Sequence, residues 1–103
     1  GKGQPGEPSS AVRKRVVAAH RIQIKRQDIS NGRLGTSLVR KHCRLSAADE
    51  CFLETAAEQL SLSPRSCQRV LKVARTISDL DGADSIDQNH LAEAIGFRRP
   101  GRR

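Results

Sequence analysis

The stretch from Leu62 to Gly82, LSPRSCQRVLKVARTISDLDG, constrains the fold of this chain more than any other segment. It combines a helix start, a long periodic body and a glycine at its end. Ser63 can accept hydrogen bonds from free backbone N–H groups, and Pro64 stands at the first helical position, where a missing N–H costs nothing. The stretch therefore predicts a long, well-defined helix around which the rest of the chain can pack.

An advance of about 100 degrees per residue separates the side chains of this helix into two faces. The apolar face consists of Cys67, Val70, Leu71, Ala74 and Ile77. The opposite face carries a basic stripe of Arg65, Arg69 and Lys72. This pattern is typical of a core helix that presents cations to something outside the domain.

Helical periodicity also predicts a first helix from Ala11 to Gln27, with Ser9 or Ser10 as its cap. Its inner side is expected to hold Val12, Val16, Ala19 and Gln23, with Ile22 beside them. The remaining surface is basic, and its cations are Arg13, Lys14, Arg15, Arg21, Lys25 and Arg26. Such a helix is suited to contact nucleic acid or another domain of the same protein, although it lacks aromatic residues for base stacking.

The next residues, 28–35, are predicted to form a loop, because the Asn31–Gly32 pair is a turn signal. Leu34 is expected to anchor this loop to the core. A short helix over residues 37–43 should follow, with Leu38 and Cys43 directed inward. His42 is interpreted as a structural or surface histidine, because no partner at metal-ligand spacing accompanies it.

Ser46 and Asp49 form a variant of the capping box and predict a helix from Ala47 to Leu60. The residues of this helix expected to face the core are Phe52, Ala56, Ala57 and Leu60. Its outer side carries Glu54 and Glu58, which are interpreted as solvated carboxylates.

A final short helix is predicted after Asp87, its expected cap, because Ile86 and Leu91 have the spacing of a hydrophobic staple. The inner face of this helix is expected to consist of Leu91, Ala94 and Ile95, with His90 as a packing or capping residue. The sequence thus predicts an all-α fold, a small bundle of about five helices. Residues 1–8 are interpreted as a linker, residues 9–97 as the helical domain and residues 98–103 as a flexible basic tail.

The composition supports packed helices and a single small domain. The 103 residues include no Met, Trp or Tyr, and the aromatic residues are Phe52 and Phe97. A core of Leu, Val, Ile and Ala suits helices better than strands, which favour aromatic and β-branched residues. No apolar run is long enough to predict a membrane span, so no membrane partner is expected. The start at Gly1 without any Met suggests a piece of a longer protein.

The three cysteines, Cys43, Cys51 and Cys67, are an odd number with no CxxC pair, so no metal site is predicted. All three are expected to be reduced and buried, as small apolar side chains. Reduced cysteines and the absence of a secretory signal predict a cytoplasmic protein.

Charge is distributed unevenly along the chain. Residues 1–45 contain eleven Lys or Arg and two acidic residues, a net charge of +9. Residues 46–97 contain four Lys or Arg and nine acidic residues, a net charge of −5. These regions of opposite charge suggest that a polyanion binds near the basic end, or that the basic region of one subunit meets the acidic region of a partner subunit. The alternative is that both regions are solvated helix faces.

The sequence contains no phosphate-binding GxxxxGK[ST] loop, no GxSxG or HExxH motif and no dinucleotide glycine fingerprint. The isolated chain is therefore not expected to be an enzyme. Arg65 is the strongest candidate for binding a phosphate. It is a cation in the first turn of a helix, near the positive end of the helix dipole, where an anion would be favoured. A solvated surface arginine is the alternative.

The string LSPRSCQRVLKVARTISDLDG, followed by IDQNHLAEAI, resembles the C-terminal region of bacterial magnesium-chelatase-like AAA+ ATPases, the ComM/YifB group. GEPSSAVRKRV is similar to the crossing from the ATPase core, and the pattern of Gln23, Arg26 and Gln27 followed by Asn31 and Leu34 is similar too. The resemblance covers nearly the whole chain. It implies the helical lid subdomain that follows a nucleotide-binding core in the same chain.

The resemblance also implies a role for Arg65, which matches the sensor-2 arginine that contacts the γ-phosphate of ATP, with Arg69 as a possible second contact by position. ATP and Mg²⁺ would bind the full-length protein, and neither is expected on this domain alone. Neighbouring subunits of a hexameric ring would be partners, and Lys72 and Arg75 would hold the lid to its neighbours. Two departures, His20 in place of Arg and Gly32 in place of Ala, lie outside the sensor motif.

Full-length relatives in this group are similar to motors that act on DNA, so a ring-shaped ATPase acting on DNA is the function that the resemblance implies. Two alternatives remain at this point. One is an independent nucleic-acid-binding helical module, suggested by the basic pole. The other is the lid of a true magnesium-chelatase subunit.

Overall fold

The computed structural model describes residues 9–97, which form five α-helices and one short 3₁₀ helix. The helices are α1 Ser9–Gln27, the 3₁₀ helix Asn31–Arg33, α2 Thr36–His42, α3 Ala47–Leu60, α4 Pro64–Leu80 and α5 Gln88–Phe97. The all-α prediction is confirmed, and the bounds of α3 are those predicted. The predicted linker, residues 1–8, and the predicted tail, residues 98–103, lie outside the described residues.

The two predicted serine caps are present. The Ser46 hydroxyl accepts a hydrogen bond from the backbone N–H of Asp49 at 3.1 Å, at the start of α3. The Ser63 hydroxyl accepts one from the N–H of Ser66 at 3.0 Å, and Pro64 occupies the first position of α4. Each cap pairs one of the N–H groups that a helix start leaves without a partner. The start of α4 is thus fixed by its local sequence.

A reciprocal pair of hydrogen bonds starts α5. The Asp87 carboxylate accepts from the backbone N–H of His90 at 3.0 Å, and the His90 ring Nδ1 accepts from the N–H of Asp87 at 3.0 Å. His90 is buried, and its other nitrogen, Nε2, lies 2.9 Å from a carboxylate oxygen of Asp81. The expectation that His90 packs and caps is confirmed, with His90 taking the place of the usual Glu in a capping box.

Three helices end at a residue in the left-handed backbone region: Asp28 after α1 (φ 71°), Ser61 after α3 (φ 54°) and Gly82 after α4 (φ 71°). At Ser61 the N–H of Leu62 bonds the Ala57 carbonyl at 2.9 Å, which completes a Schellman motif. The glycine stop at Gly82 is as the sequence predicts. The ends at Asp28 and Ser61 carry no glycine, so composition alone does not mark them.

The central position of α4 is confirmed, since α5, α1, the 3₁₀ helix and α2 all pack on it, while α3 packs on α5. The most buried apolar side chains are Val70, Ala74, Leu91 and Ala94, each at most 1% exposed. Leu34 is buried as expected.

In α3 the most buried side chain is Leu53, and the four residues predicted to face the core are only half-buried. In α2, which begins and ends one residue earlier than predicted, the most buried side chain is Val39, whereas Leu38 is half-buried. Cys43, directly after α2, is buried as predicted.

Two predictions about burial are wrong. Val16, expected on the inner side of α1, is 53% exposed, and Ile22, expected beside it, is 39% exposed, because α1 rests on α4 through a narrow strip centred on Ala19 and Gln23. Cys51 is exposed and Cys67 is half-buried, so only Cys43 behaves as the buried thiol predicted for all three. In addition, α1 includes Ser9 and Ser10, which were expected to precede it.

Candidate functional site

The basic stripe of α4 is divided into two parts by its neighbours. Arg65 and Arg69 are exposed, and neither side chain forms a hydrogen bond or ion pair with any other residue in 9–97. The Lys72 ammonium, in contrast, donates a hydrogen bond to the Gly32 carbonyl at 3.0 Å. Lys72 therefore differs from the other two cations, because it is half-buried and ties α4 to the 3₁₀ helix.

Two of the first three residues of α4 offer no free backbone N–H. Pro64 has no N–H, and the Ser66 N–H is already bonded to the Ser63 hydroxyl, which itself donates to the Ser66 hydroxyl at 3.1 Å. Arg65, between these two residues, stands in the first turn of α4, at the end where the helix dipole is positive. A cation is slightly unfavourable for the isolated helix at this position, so the arrangement favours an anion from outside the described residues.

Further along α4, Thr76 and Asp79 lie on the same side of the helix as the basic stripe, because an advance of about 100 degrees per residue brings them back to the side of Arg65. In this half of α4 the side is covered by α1 and the 3₁₀ helix. Asp79 lies 14 residues after Arg65, about 21 Å along the helix axis. This side of α4 is thus an internal contact in the C-terminal half of the helix and an exposed surface in the N-terminal half.

Asp79 has a fully buried side chain and binds Arg26 of α1 in a bidentate ion pair. Arg26 Nη1 donates to Oδ1 at 2.9 Å, and Arg26 Nη2 donates to Oδ2 at 3.1 Å. Two parallel bonds between a guanidinium and a carboxylate fix both the distance and the orientation of the partners. The prediction that Arg26 contributes to an outward-facing basic surface is therefore wrong, because its guanidinium is turned into the domain.

Asn31 completes this cluster, and its side-chain amide makes every hydrogen bond available to it. The amide nitrogen donates to Asp79 Oδ2 and to the Thr76 hydroxyl, both at 3.0 Å. The amide oxygen accepts from Arg26 Nη2 at 3.0 Å and from Gln27 Nε2 at 2.8 Å. A buried polar side chain is stable only when its groups are paired, and here they are all paired.

Gln23 adds a backbone contact to the cluster, since its side-chain oxygen accepts from the N–H of Asn31 at 3.0 Å. Gln23 is buried on the inner side of α1, as predicted. The polar pattern of Gln23, Arg26, Gln27 and Asn31 in the sequence is thus a set of internal contacts. The signal that could have revealed it is the placement of polar side chains on the predicted inner side of α1.

Arg75 is a second buried cation next to Asp79, and its charge was not expected in the interior. It is 6% exposed, and its Nη1 donates to the Asp84 carbonyl at 3.2 Å and to the Ser78 hydroxyl at 3.3 Å. Its Nε has no hydrogen-bond partner and lies 3.6 Å from Asp79 Oδ1. Burial, and then the charge of Arg26, lower the pKa of the Arg75 guanidinium. The expectation that Arg75 holds the lid to its neighbours is wrong, since its guanidinium faces the core.

The other predicted cations of α1 lie on its surface. The exposed ones are Arg13, Lys14, Arg15, Arg21 and Lys25. Large apolar side chains are exposed among them: Val16, Val17, Ile22 and Ile24, at 39–53% of their surface. The outer face of α1 is therefore both basic and apolar, which is uncommon for a helix surrounded only by solvent.

Residues 9–97 contain neither a metal-binding cluster nor a membrane-spanning helix. Within residues 9–97 no group of three His, Cys, Asp or Glu side chains is arranged to hold a metal ion. In the same part of the chain, no helix combines the length and the apolar character needed to cross a bilayer. Burial raises the pKa of the Cys43 thiol to about 11, so this cysteine is a poor nucleophile.

The sequence was compared with protein families and with curated proteins. Residues 6–98 match the family described as magnesium chelatase, subunit ChlI C-terminal. The chain belongs to this family.

The relatives of the chain include three curated bacterial proteins. It is 46% identical over 94 residues to the uncharacterised protein YifB of Escherichia coli, which covers 91% of this chain and 19% of YifB. It is 44% identical over 96 residues to the competence protein ComM of Haemophilus influenzae, and this match covers 93% of the chain and 19% of ComM. It is 34% identical over 102 residues to an uncharacterised protein of Mycobacterium tuberculosis, and this match covers 95% of the chain and 20% of that protein. The chain thus spans about a fifth of the relatives it matches.

Proposed function

We propose that this chain is the lid domain of a magnesium-chelatase-like AAA+ ATPase of the ComM/YifB type, and that Arg65 contacts the γ-phosphate of ATP in the full-length protein. The observation that carries the proposal is the position of Arg65. It is exposed, unpaired among residues 9–97, and placed in the first turn of a helix whose start is fixed by Ser63 and Pro64. Arg69, one turn further on the same face and also exposed, is the second candidate.

The residues present fit a supporting role in a nucleotide site. A guanidinium presents several N–H donors and keeps its positive charge, so Arg65 can hold a phosphate oxygen and stabilise charge on a transferring phosphoryl group. Carboxylate ligands for Mg²⁺ and a glycine-rich phosphate loop are expected from the core of the full-length protein. ATP, when bound there, supplies the phosphoryl group.

The internal contacts of α4 give this role a mechanical consequence. Because Arg26 and Asn31 hold the far end of α4 to α1 and the 3₁₀ helix, an interaction at Arg65 would move these elements together with α4. The lid would then report the presence of the γ-phosphate as a displacement of the whole domain rather than of one side chain.

The test is ATP hydrolysis by the full-length protein with Arg65→Ala. We expect a loss of about ten-fold or more, since removal of a phosphate-stabilising arginine commonly has at least this effect. Arg65→Lys keeps the charge but not the planar set of donors, so it should restore only part of the activity. Arg40→Ala, which removes an exposed cation from α2, is the matched control and should hydrolyse ATP normally. Unchanged turnover in Arg65→Ala would refute the proposal.

A second candidate function is nucleic-acid binding, in agreement with a motor that acts on DNA. It is supported by the exposed cations of α1, a helix that contains six Lys or Arg and no acidic residue. Phosphate contacts would make the affinity of this chain for duplex DNA fall steeply with salt concentration. A titration at low salt without binding would remove this candidate and would leave the role of Arg65 untouched.

A further inference from the structure

The outer face of α1 carries a cationic stripe that nothing within residues 9–97 neutralises. Lys14, Arg21 and Lys25 lie within an arc of about 40 degrees on the helix and span about 16 Å along its axis. All three are exposed, and none forms a hydrogen bond or an ion pair with the described part of the chain. We name these three residues the α1 stripe.

Two large apolar side chains flank the α1 stripe. Val17 and Ile24, seven residues apart, lie on one side of it and are 43% and 39% exposed. Phosphate groups would gain nothing from branched aliphatic side chains at this position, because such side chains contribute only when another apolar surface covers them. The face therefore has the mixed character of a protein–protein contact.

The outer face of α3 has the opposite charge. Glu50, Glu54 and Glu58 recur along it within an arc of about 80 degrees, and α3 contains four acidic residues and no cation. All three glutamates are exposed, and none is paired with a cation of residues 9–97. We name them the α3 stripe. The small side chains Ala47 and Cys51 are exposed beside it, so another helix could approach closely there.

The two stripes belong to different parts of one domain. α1 packs on α4, whereas α3 packs on α5, and none of the six stripe residues is joined to another within the chain. We infer that the α1 stripe of one copy binds the α3 stripe of a second copy, with Val17 and Ile24 packed against the small side chains of α3. Because the two faces are different, the contact is head-to-tail and leaves one stripe of each copy available for the next.

A second copy fits the α1 stripe better than a nucleic acid does. Nucleic acid would leave Val17 and Ile24 uncovered, and the acidic residues of α3 would have no partner. A pair of helices buries less than the roughly 1,200 Å² of a stable complex, so the contact should be weak, with a dissociation constant of about 0.1–1 mM. Its dependence on charge should make it sensitive to salt, since ions at about 0.5 M screen exposed charges over a few ångströms. This inference does not rest on the role proposed for Arg65.

The first experiment is sedimentation equilibrium of this chain at concentrations up to about 1 mM, in low salt and in about 0.5 M salt. We expect the mean mass to rise with concentration at low salt and to stay near that of the monomer at high salt. A monomer at every concentration in low salt would overturn the inference.

Charge reversals identify the surfaces. The double variant Lys14→Glu, Arg21→Glu should not associate, although it lowers the net charge from +8 to +4 and so reduces general repulsion. The double variant Glu54→Lys, Glu58→Lys should also remain monomeric. A mixture of the two variants should associate again, because the reversed α1 of one then faces the reversed α3 of the other. Lys and Glu have similar helix propensities, and circular dichroism would verify that both variants fold.

A matched control is Arg40→Glu, Lys41→Glu, which makes the same change of net charge on exposed residues of α2. This variant should associate at least as well as the unmodified chain. If it loses association as the α1 variant does, or if the mixture fails to associate, the head-to-tail contact is wrong. Binding of the chain to duplex DNA that depends on the α1 stripe, without self-association, would assign that stripe to nucleic acid and would likewise overturn the inference.

Discussion

Arg26 at the end of α1 and Asp79 near the end of α4, 53 residues apart in the sequence, form a bidentate ion pair with N–O distances of 2.9 and 3.1 Å. The Asp79 side chain is fully buried and that of Arg26 is 19% exposed. Desolvation of a carboxylate is costly, and the bonds from Arg26 and Asn31 offset that cost. The pair fixes the position of α1, a helix that buries little apolar surface of its own.

Asp79→Asn should lower the free energy of unfolding by about 3 kcal/mol or more, because it leaves Arg26 and the buried Arg75 without their shared counter-charge. Since small domains are typically stable by about 5–15 kcal/mol, urea denaturation should detect this loss easily. The matched control is Asp84→Asn, which removes an exposed carboxylate and keeps the backbone carbonyl that Arg75 uses. Equal midpoints for the two variants would contradict this account of the cluster.

The two buried arginines should differ in their contributions to stability. Arg26→Met removes both bonds of the bidentate pair, whereas Arg75→Met removes a cation whose Nε has no hydrogen-bond partner and leaves Arg26 on Asp79. We expect Arg26→Met to be more destabilising by about 1 kcal/mol or more, since a hydrophobic side chain often replaces a poorly paired buried ion at little cost. Chemical denaturation of both variants measures the difference, and the reverse order would show that Arg75 is the principal partner.

Gly32→Ala should stabilise the domain by about 0.4–1 kcal/mol. Gly32 does not adopt a positive φ, and an added Cβ would meet no atom within 4 Å, so alanine restricts the unfolded chain without strain in the folded one. Gly82→Ala is the matched control, because it meets equally open space but at a φ of +71°. It should destabilise the domain by about 1–2 kcal/mol. Thermal unfolding of the two variants should therefore shift in opposite directions.

The stability of the fold should fall as the pH rises from about 9 to about 11, because of Cys43. Burial raises the pKa of its thiol to about 11 from an ordinary value of 9.0, so the folded state holds the proton in this range and the unfolded state releases it. The contribution is fully present below about pH 9 and is lost above about pH 11, a difference of up to about 3 kcal/mol.

Urea denaturation at several pH values would measure this loss. The variant Cys43→Ala should show a smaller decrease over the same range, since other alkaline titrations affect both proteins equally. A decrease of the same size in both would refute the assignment to Cys43. Thiol labelling offers an independent measurement: the exposed Cys51 should react before the half-buried Cys67, and the buried Cys43 only on unfolding.

Much of the fold follows from local chemistry. Ser46 and Ser63 start α3 and α4, and Ile86 and Asp87 precede α5, because these residues satisfy or orient the free N–H groups of a helix start whatever lies around them. The helix ends at Asp28 and Ser61 were harder to predict. Both residues adopt positive φ values without being glycine, and the surrounding structure stabilises that conformation.

The candidate site was predicted in part. Arg65 and Arg69 lie on an exposed face of α4, as the periodicity indicates. The same periodicity treats Lys72 as one more surface cation, whereas its ammonium bonds to the Gly32 carbonyl. Periodicity assigns a residue to a face of its own helix, but the elements that cover that face are chosen by contacts between distant parts of the chain.

The sequence by itself determined the all-α fold, the central helix with its fixed start, and the arginine that this start presents. Local capping and apolar periodicity are sufficient for these features, because they depend on residues within one or two turns of each other. Only the tertiary structure decided which cations are internal and which are surface. Arg26 and Arg75 are helical cations like Arg65, but partners 3 to 53 residues away hold their guanidinium groups inside the domain, and the Gly32 carbonyl holds the half-buried Lys72 against the 3₁₀ helix. The energy of a buried ion depends on such partners, and a linear pattern does not contain their positions.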